Sequence, residues 1–279
     1  MIRISRLLIS VIALSASLQA SAVAATMDDA AVKIKWGYRG NIAPTHWGQL
    51  DPQFAVCSTG KEQTPIDIPS KTLKTVNNLT IQYQPAELHI IEDGVTDLMI
   101  GKQHTLFLDG HSVQLNFPKN GTQEIVKFNG DTYHLVQFHF HTPSETQING
   151  RAFPLEIHFV HQGEDGKALV IAILASAGKD NKTLQEIITH LPSEIGVEKI
   201  IAAEKINPQD LMPIKHNAYY AFAGSLTTPP CAQGVQWVVL ADTIPASPAQ
   251  ILSMRKAAGG ANARPIQPIH DRKISYTKE

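Results

Sequence analysis

Apolar and polar residues alternate in short runs along this chain, in LTIQY, HSVQLNF, YHLVQFHF, LEIHFVH and VQWVVLA, with Pro and Gly scattered between them as turns. Runs of four to ten residues with this period, rich in β-branched and aromatic side chains, predict a large sheet. ALVIAILAS is apolar throughout, which predicts a central strand covered on both faces. Helical spacing is rare. KTLQEIITHLP sets Leu184, Ile187, Ile188 and Leu191 on one face ahead of Pro192. SPAQILSMRKAAGG has Ser247 as cap, Pro248 in the first turn and Gly259 at the end. No repeat, low-complexity tract or linker interrupts the pattern. The expected architecture is one β-dominated domain (all-β or α+β), a mostly antiparallel twisted sheet with a few short peripheral helices.

The same alternation isolates a set of histidines. In QFHFHTPSE, Gln137 to Glu145, a strand would project His139 and His141 to one side and Phe138 and Phe140 to the other. In LEIHFVH, Glu156, His158 and Val160 share a face, and Leu155, Ile157 and Phe159 share the opposite one. If the two strands are neighbours, three imidazoles converge on one point, the number a catalytic zinc takes before leaving a fourth position to water. Glu156 could then fix a ligand histidine through its other ring nitrogen. The ordinary alternative is a polar strand face. His161 falls opposite His158 and reads as structural or surface. HFHTPSE also fits the first cupin motif, in which Glu145 would itself be a ligand to iron or manganese. Against that, no PxG precedes a downstream histidine followed by asparagine, and His158 comes too early.

Composition narrows the setting. Residues 1–25 read as a secretion signal, with Arg3 and Arg6 before an apolar run too short to span a bilayer. Two of the 24 basic residues lie there, leaving 22 against 25 acidic ones, a net of −3, with no basic patch for nucleic acid. The mature chain, residues 26–279, is long enough for one full core, has no further stretch suited to membrane insertion, and is expected in the periplasm or outside the cell. In that compartment Cys57 and Cys231 pair by default, with two free buried thiols as the alternative.

Further motifs converge on one family. FHFH, LEIH, GSLTTPPC from Gly224 to Cys231, WGY from Trp36, QTPIDI from Gln63, DGHSVQLNF and NARPIQP together make the chain closely resemble the α-class carbonic anhydrases of the exported bacterial kind, from about Trp36 to Arg272. The resemblance implies a carbonate dehydratase in which zinc sits on His139, His141 and His158, oriented by Gln137 and Glu156. Zinc-bound hydroxide would attack carbon dioxide, bicarbonate would leave as water binds, and activated esters would be side substrates. Thr227 would hold the hydroxide and donate to Glu145, a gate and not a ligand. Val160, Val170, Leu226, Val235 and Trp237 would line the carbon dioxide pocket with Thr228 nearby, and each is otherwise ordinary core. His111 would be the proton shuttle, in competition with His104. The resemblance further implies that the Cys57–Cys231 bridge ties the Thr227–Thr228 loop to the amino-terminal segment, that Pro65 and Pro230 follow cis bonds, and that Arg264 is structural in a carboxy-terminal strand. Partners are the small molecules carbon dioxide, bicarbonate and water, and a homodimer is compatible with this reading. Three positions depart from the family pattern. Thr146 stands where a histidine is usual and should weaken local packing, Asp109 replaces an asparagine, and VTDLMIGKQHTLF is longer than usual ahead of His111.

Overall fold

Along the strand Ala168–Ala177, residues 168–175 are all buried, yet their side chains divide by parity between two cores. Leu169, Ile171, Ile173 and Ala175 join one apolar cluster, and Ala168, Val170, Ala172 and Leu174 join another. A strand buried on both faces has no polar side to show, which is why its sequence does not alternate.

The computed structural model describes residues 35–100, 103–117 and 124–278, with the side chains of 93–99, 103–111 and 165 left aside. The expected leader lies outside these residues, as do the side chains of His104, Asp109 and His111. Among the described residues ten strands of a 13-stranded sheet run in the order Lys199–Ile206, Ala86–Ile100, Gln103–Asn116, Asp131–His141, Leu155–Gly163, Ala168–Ala177, Gln233–Leu240, Ala218–Ser225, Ser275–Lys278, Leu73–Lys74, and the other three, Leu79–Gln82, Ile125–Phe128 and Ile244–Ala246, pair off this path. Its pairs are mostly antiparallel; Ala168–Ala177 runs parallel to Gln233–Leu240 and to Ile244–Ala246, and Ser275–Lys278 runs parallel to Leu73–Lys74.

On one face the helices Lys182–Thr189 and Pro248–Ala257 pack Leu184, Ile187 and Met254 against Phe138, Phe140, Ile157 and Phe159. Asn181 caps the first helix through Leu184 N. Ser247 and Gln250 form a reciprocal capping box on the second. Near the amino end, Trp36, Trp47, Phe54 and the Cys57–Cys231 disulfide form a small separate cluster. The long segment ahead of His111 is accommodated by lengthening two paired strands to 15 and 14 residues. DGH therefore lies inside the strand Gln103–Asn116, beside a register shift between Glu92 and Gly94.

His161 is fully buried on the helix-covered face. Its Nδ1 lies 3.2 Å from Leu169 O, which can only accept, so Nε2 carries the lone pair that receives the Tyr83 hydroxyl at 2.7 Å. Burial pushes the imidazole down to about 3. The unfolded chain therefore binds one more proton than the native one between about pH 6.5 and 3, so stability is lost as pH falls through that window. Urea midpoints from pH 7 to 4 should fall less steeply in His161→Gln than in the unaltered protein, by up to about 1.4 kcal/mol per pH unit. Parallel curves would remove His161 as a source of acid sensitivity.

Candidate metal centre

Asp131–His141 and Leu155–Gly163 pair antiparallel, with His139 opposite His158, His141 opposite Glu156 and Gln137 opposite Val160. Because the phenylalanines of both strands point to the helix-covered core, the three histidines share the other face. Their rings stand 4.6–5.2 Å apart between centroids. One ligand atom from each of the three falls within 4.8 Å of the others, and all three residues are buried.

Every ring is held by the nitrogen that turns away from this centre. His139 Nδ1 lies 2.8 Å from Gln137 Oε1, His141 Nδ1 lies 2.8 Å from Asn262 O, and His158 Nε2 lies 3.0 Å from Glu156 Oε1. These oxygens accept, so the hydrogens sit on the outer nitrogens and the lone pairs converge. Burial, reinforced by the other two rings, holds His139 well below its usual pKa, and burial also lowers His141 against the pull of its Asn262 bond. Neutral imidazoles with converging lone pairs are the donor set a borderline divalent cation takes. His141 Nε2 is buried with no hydrogen bond, as expected of a donor reserved for a cation.

Glu145 and Glu156 are both buried but differ in their partners. Glu156 is drawn up by burial and drawn down further by His158 and by Thr146, ending below the usual carboxylate range. Its oxygens accept from Glu145 N, Thr146 N and Thr146 Oγ1, each at 2.7 Å. Thr146 is thus fully buried and bonded twice to the carboxylate that orients His158. The Thr146 hydroxyl and His158 Nε2 share Oε1, while the two backbone N–H groups share Oε2. Glu145 is pushed up to about 7, chiefly by burial. Its Oε1 accepts from Arg264 N at 2.7 Å, and the Thr227 hydroxyl is a neighbour that favours its charged form. Glu145 Oε2 lies 3.6 Å from His141 Nε2 and 4.0 Å from His158 Nδ1, on the side of their converging nitrogens, yet Glu145 is not part of the set of three donors that close on one point.

Arg264 corrects one expectation. It lies outside any strand, because its backbone N–H serves Glu145 and Pro265 after it has none to give to a ladder. Its guanidinium bonds Thr64 O, Gln63 Oε1 and Cys57 O. Asn262 in the same segment was not singled out in the sequence, since its carbonyl, available from any residue, is what holds His141. Its side chain also accepts from Thr142 N and donates to Phe140 O.

The loop carrying Thr227 and Thr228 is fixed from several sides. Ser225 and Thr64 exchange two hydrogen bonds of 2.9 Å, Trp237 Nε1 donates to Ser225 O, and Gln63 Nε2 donates to Cys231 O. Cis bonds precede Pro65, Pro143 and Pro230. Against this loop, His139, His158, Val160, Val170, Leu226, Thr227 and Trp237 enclose a cavity of ≈ 10 Å³, room for about one small molecule the size of water. Val235 belongs to the same apolar cluster, and Thr228 is buried with its hydroxyl unbonded.

Comparison with known proteins agrees with this geometry. The family model described as eukaryotic-type carbonic anhydrase matches residues 42–278. A carbonic anhydrase of Neisseria gonorrhoeae is 39% identical over 239 residues, covering 86% of each chain, and one of Nostoc is 37% identical over 246 residues, covering 86% of this chain and 85% of the other. The structure of the α-carbonic anhydrase of Thermovibrio ammonificans with the inhibitor sulfanilamide superposes with a TM-score of 0.76 at 34% identity, covering 87% of this chain and 99% of that one. The chain belongs to the eukaryotic-type carbonic anhydrase family.

Proposed function

We propose that this carbonate dehydratase holds zinc on His139 Nε2, His141 Nε2 and His158 Nδ1 and interconverts carbon dioxide and bicarbonate. The observation that carries the reading is the convergence of three buried imidazoles beside an apolar cavity. Zinc held this way supplies a Lewis acid that lowers the pKa of a bound water to about 7, the effect for which carbonic anhydrase is the standard instance. The side chains of this chain do the rest. Val160, Val170, Leu226, Val235 and Trp237 hold an apolar, linear substrate out of bulk water, with Thr228 at the edge. Thr227 Oγ1 would accept a hydrogen bond from the hydroxyl nucleophile and donate its own hydrogen bond to Glu145, an arrangement that would leave a lone pair of the nucleophile facing the substrate carbon. The backbone N–H of Thr227 faces a substrate oxygen. Gln137 and Glu156 keep the ligand rings oriented. His111 passes the released proton to buffer, since histidine titrates in the range required. Activated esters are side substrates.

Export to the periplasm or beyond is part of the same reading, supported by the leader-like residues 1–25 and the disulfide. Among the described residues no helix is long and apolar enough to cross a membrane.

Stopped-flow hydration before and after chelation, with zinc added back, tests the proposal. Activity should vanish and return. Glu145→Gln should keep one zinc per chain while hydration falls by roughly 10²-fold, because a misdirected nucleophile loses that much. Loss of the metal in this variant would make Glu145 a ligand and overturn the assignment, as would activity in metal-free protein.

A further inference from the structure

Ile100 pairs with Gln103 on the adjacent strand, yet it also lies against strands far from it in the sheet order. The strand Ala86–Ile100 stands four places from Ala168–Ala177 and five from Gln233–Leu240, which at ~4.8 Å per strand is roughly 20–24 Å across a flat sheet. Yet it touches both, and the turn Glu164–Gly166 as well. A Cβ built on Gly234 would stand 3.6 Å from Ile100 Cγ2. The strand must therefore bend and cross the sheet. The register shift between Glu92 and Gly94 is the irregularity at which paired strands bend.

The face it crosses is that of the histidines. Ile100 is 9% exposed and belongs to the apolar cluster of Val160, Val170, Leu226, Val235 and Trp237, the side chains around the proposed substrate pocket. It does not line the innermost cavity. It stands outside it, against the Gly234–Val235 end of the wall.

We infer that Ile100 is a specificity-determining residue, the outer wall that limits how far a substrate can extend beyond its reacting carbon. Carbon dioxide ends within the pocket and never meets this wall. An acyl ester continues past its carbonyl carbon, and each added methylene must fit against Ile100. The inference rests on the proposed function. It concerns which substrates pass and not how the reaction proceeds.

The test uses the full-length, zinc-loaded protein, Ile100→Ala and Ile100→Phe. Hydrolysis of 4-nitrophenyl acetate and 4-nitrophenyl butanoate is measured beside carbon dioxide hydration. In the ester reaction a water oxygen bonds to the acyl carbon, the bond to the 4-nitrophenolate oxygen breaks, and the carboxylate, the phenolate and protons are released. The butanoate-to-acetate ratio of kcat/KM should rise about tenfold in Ile100→Ala, the scale of one or two methylenes in an apolar pocket, and fall in Ile100→Phe. A hairpin merely loosened by substitution would move both ratios the same way, so only opposite movement supports the wall. An unchanged ratio, movement in one direction for both variants, or no ester hydrolysis by any of the three in a protein that hydrates carbon dioxide overturns this inference alone. No hydration by the unaltered protein overturns the proposed function, and this inference with it.

Discussion

Replacing His139 by alanine is expected to strip the protein of zinc and bring carbon dioxide hydration down to the rate of buffer alone. Two imidazoles leave the cation under-coordinated, and affinity for a site of this type resides in the full donor set. The structure separates this effect from damage to the fold. His139 is oriented by a neutral partner, Gln137, so its removal leaves one buried amide oxygen without a donor, a loss of about 1–3 kcal/mol. His158→Ala should lose metal equally but unfold more easily, because it takes a donor from Glu156, a fully buried carboxylate held below its ordinary pKa. Hydrogen bonds to charged groups lie at the upper end of the range, up to about 3 kcal/mol. Elemental analysis after dialysis, stopped-flow hydration, and urea unfolding of the metal-free proteins give the three readouts. Stoichiometric zinc with full activity in His139→Ala would end the metal assignment. Equal stability of the two metal-free variants would show that Glu156 does not depend on His158.

How far the sequence reveals this site depends on whether a residue acts through side-chain identity or through backbone position. His139, His141 and His158 are legible because a strand projects alternate residues to one face, and the same parity explains Gln137 and Glu156, each two residues from a ligand on its own face. The central strand ALVIAILAS and the capped helices at Lys182 and Pro248 are legible for similar local reasons. Asn262 is not, because the third histidine is oriented by a carbonyl that every residue carries. Arg264 departs from the expected strand for the same cause. Its basic side chain suggests structure, but what decides its place is a backbone N–H spent on Glu145. Ile100 is invisible for another reason. Local alternation shows that a residue sits in a strand, and only the three-dimensional path shows that this strand reaches a wall five strands away in the sheet order.

Removing the disulfide, by Cys57→Ser with Cys231→Ser, should lower stability by several kcal/mol, about as much as truncating a large buried side chain. The two cysteines are 174 residues apart, and a cross-link closing a loop of that length removes denatured-state entropy equivalent to about 5 kcal/mol at 25 °C in the chain-entropy model. For a domain of this size that corresponds to a thermal midpoint lower by roughly 10–20 °C. The consequence should not stop at stability. Cys57 O accepts from the Arg264 guanidinium, whose backbone N–H holds Glu145, and Cys231 O accepts from Gln63 beside the Thr64–Ser225 pair that pins the Thr227 loop. The bridge therefore anchors both ends of the Thr227–Glu145 contact. At 25 °C, where the double variant is still folded, hydration should fall while zinc content stays at one per chain, because the donor strands Asp131–His141 and Leu155–Gly163 carry neither cysteine. Calorimetry, elemental analysis and stopped-flow hydration on one preparation read all three. A lower midpoint with undiminished hydration would mean that the loop holds Thr227 in place without the bridge, and that the disulfide serves the fold alone.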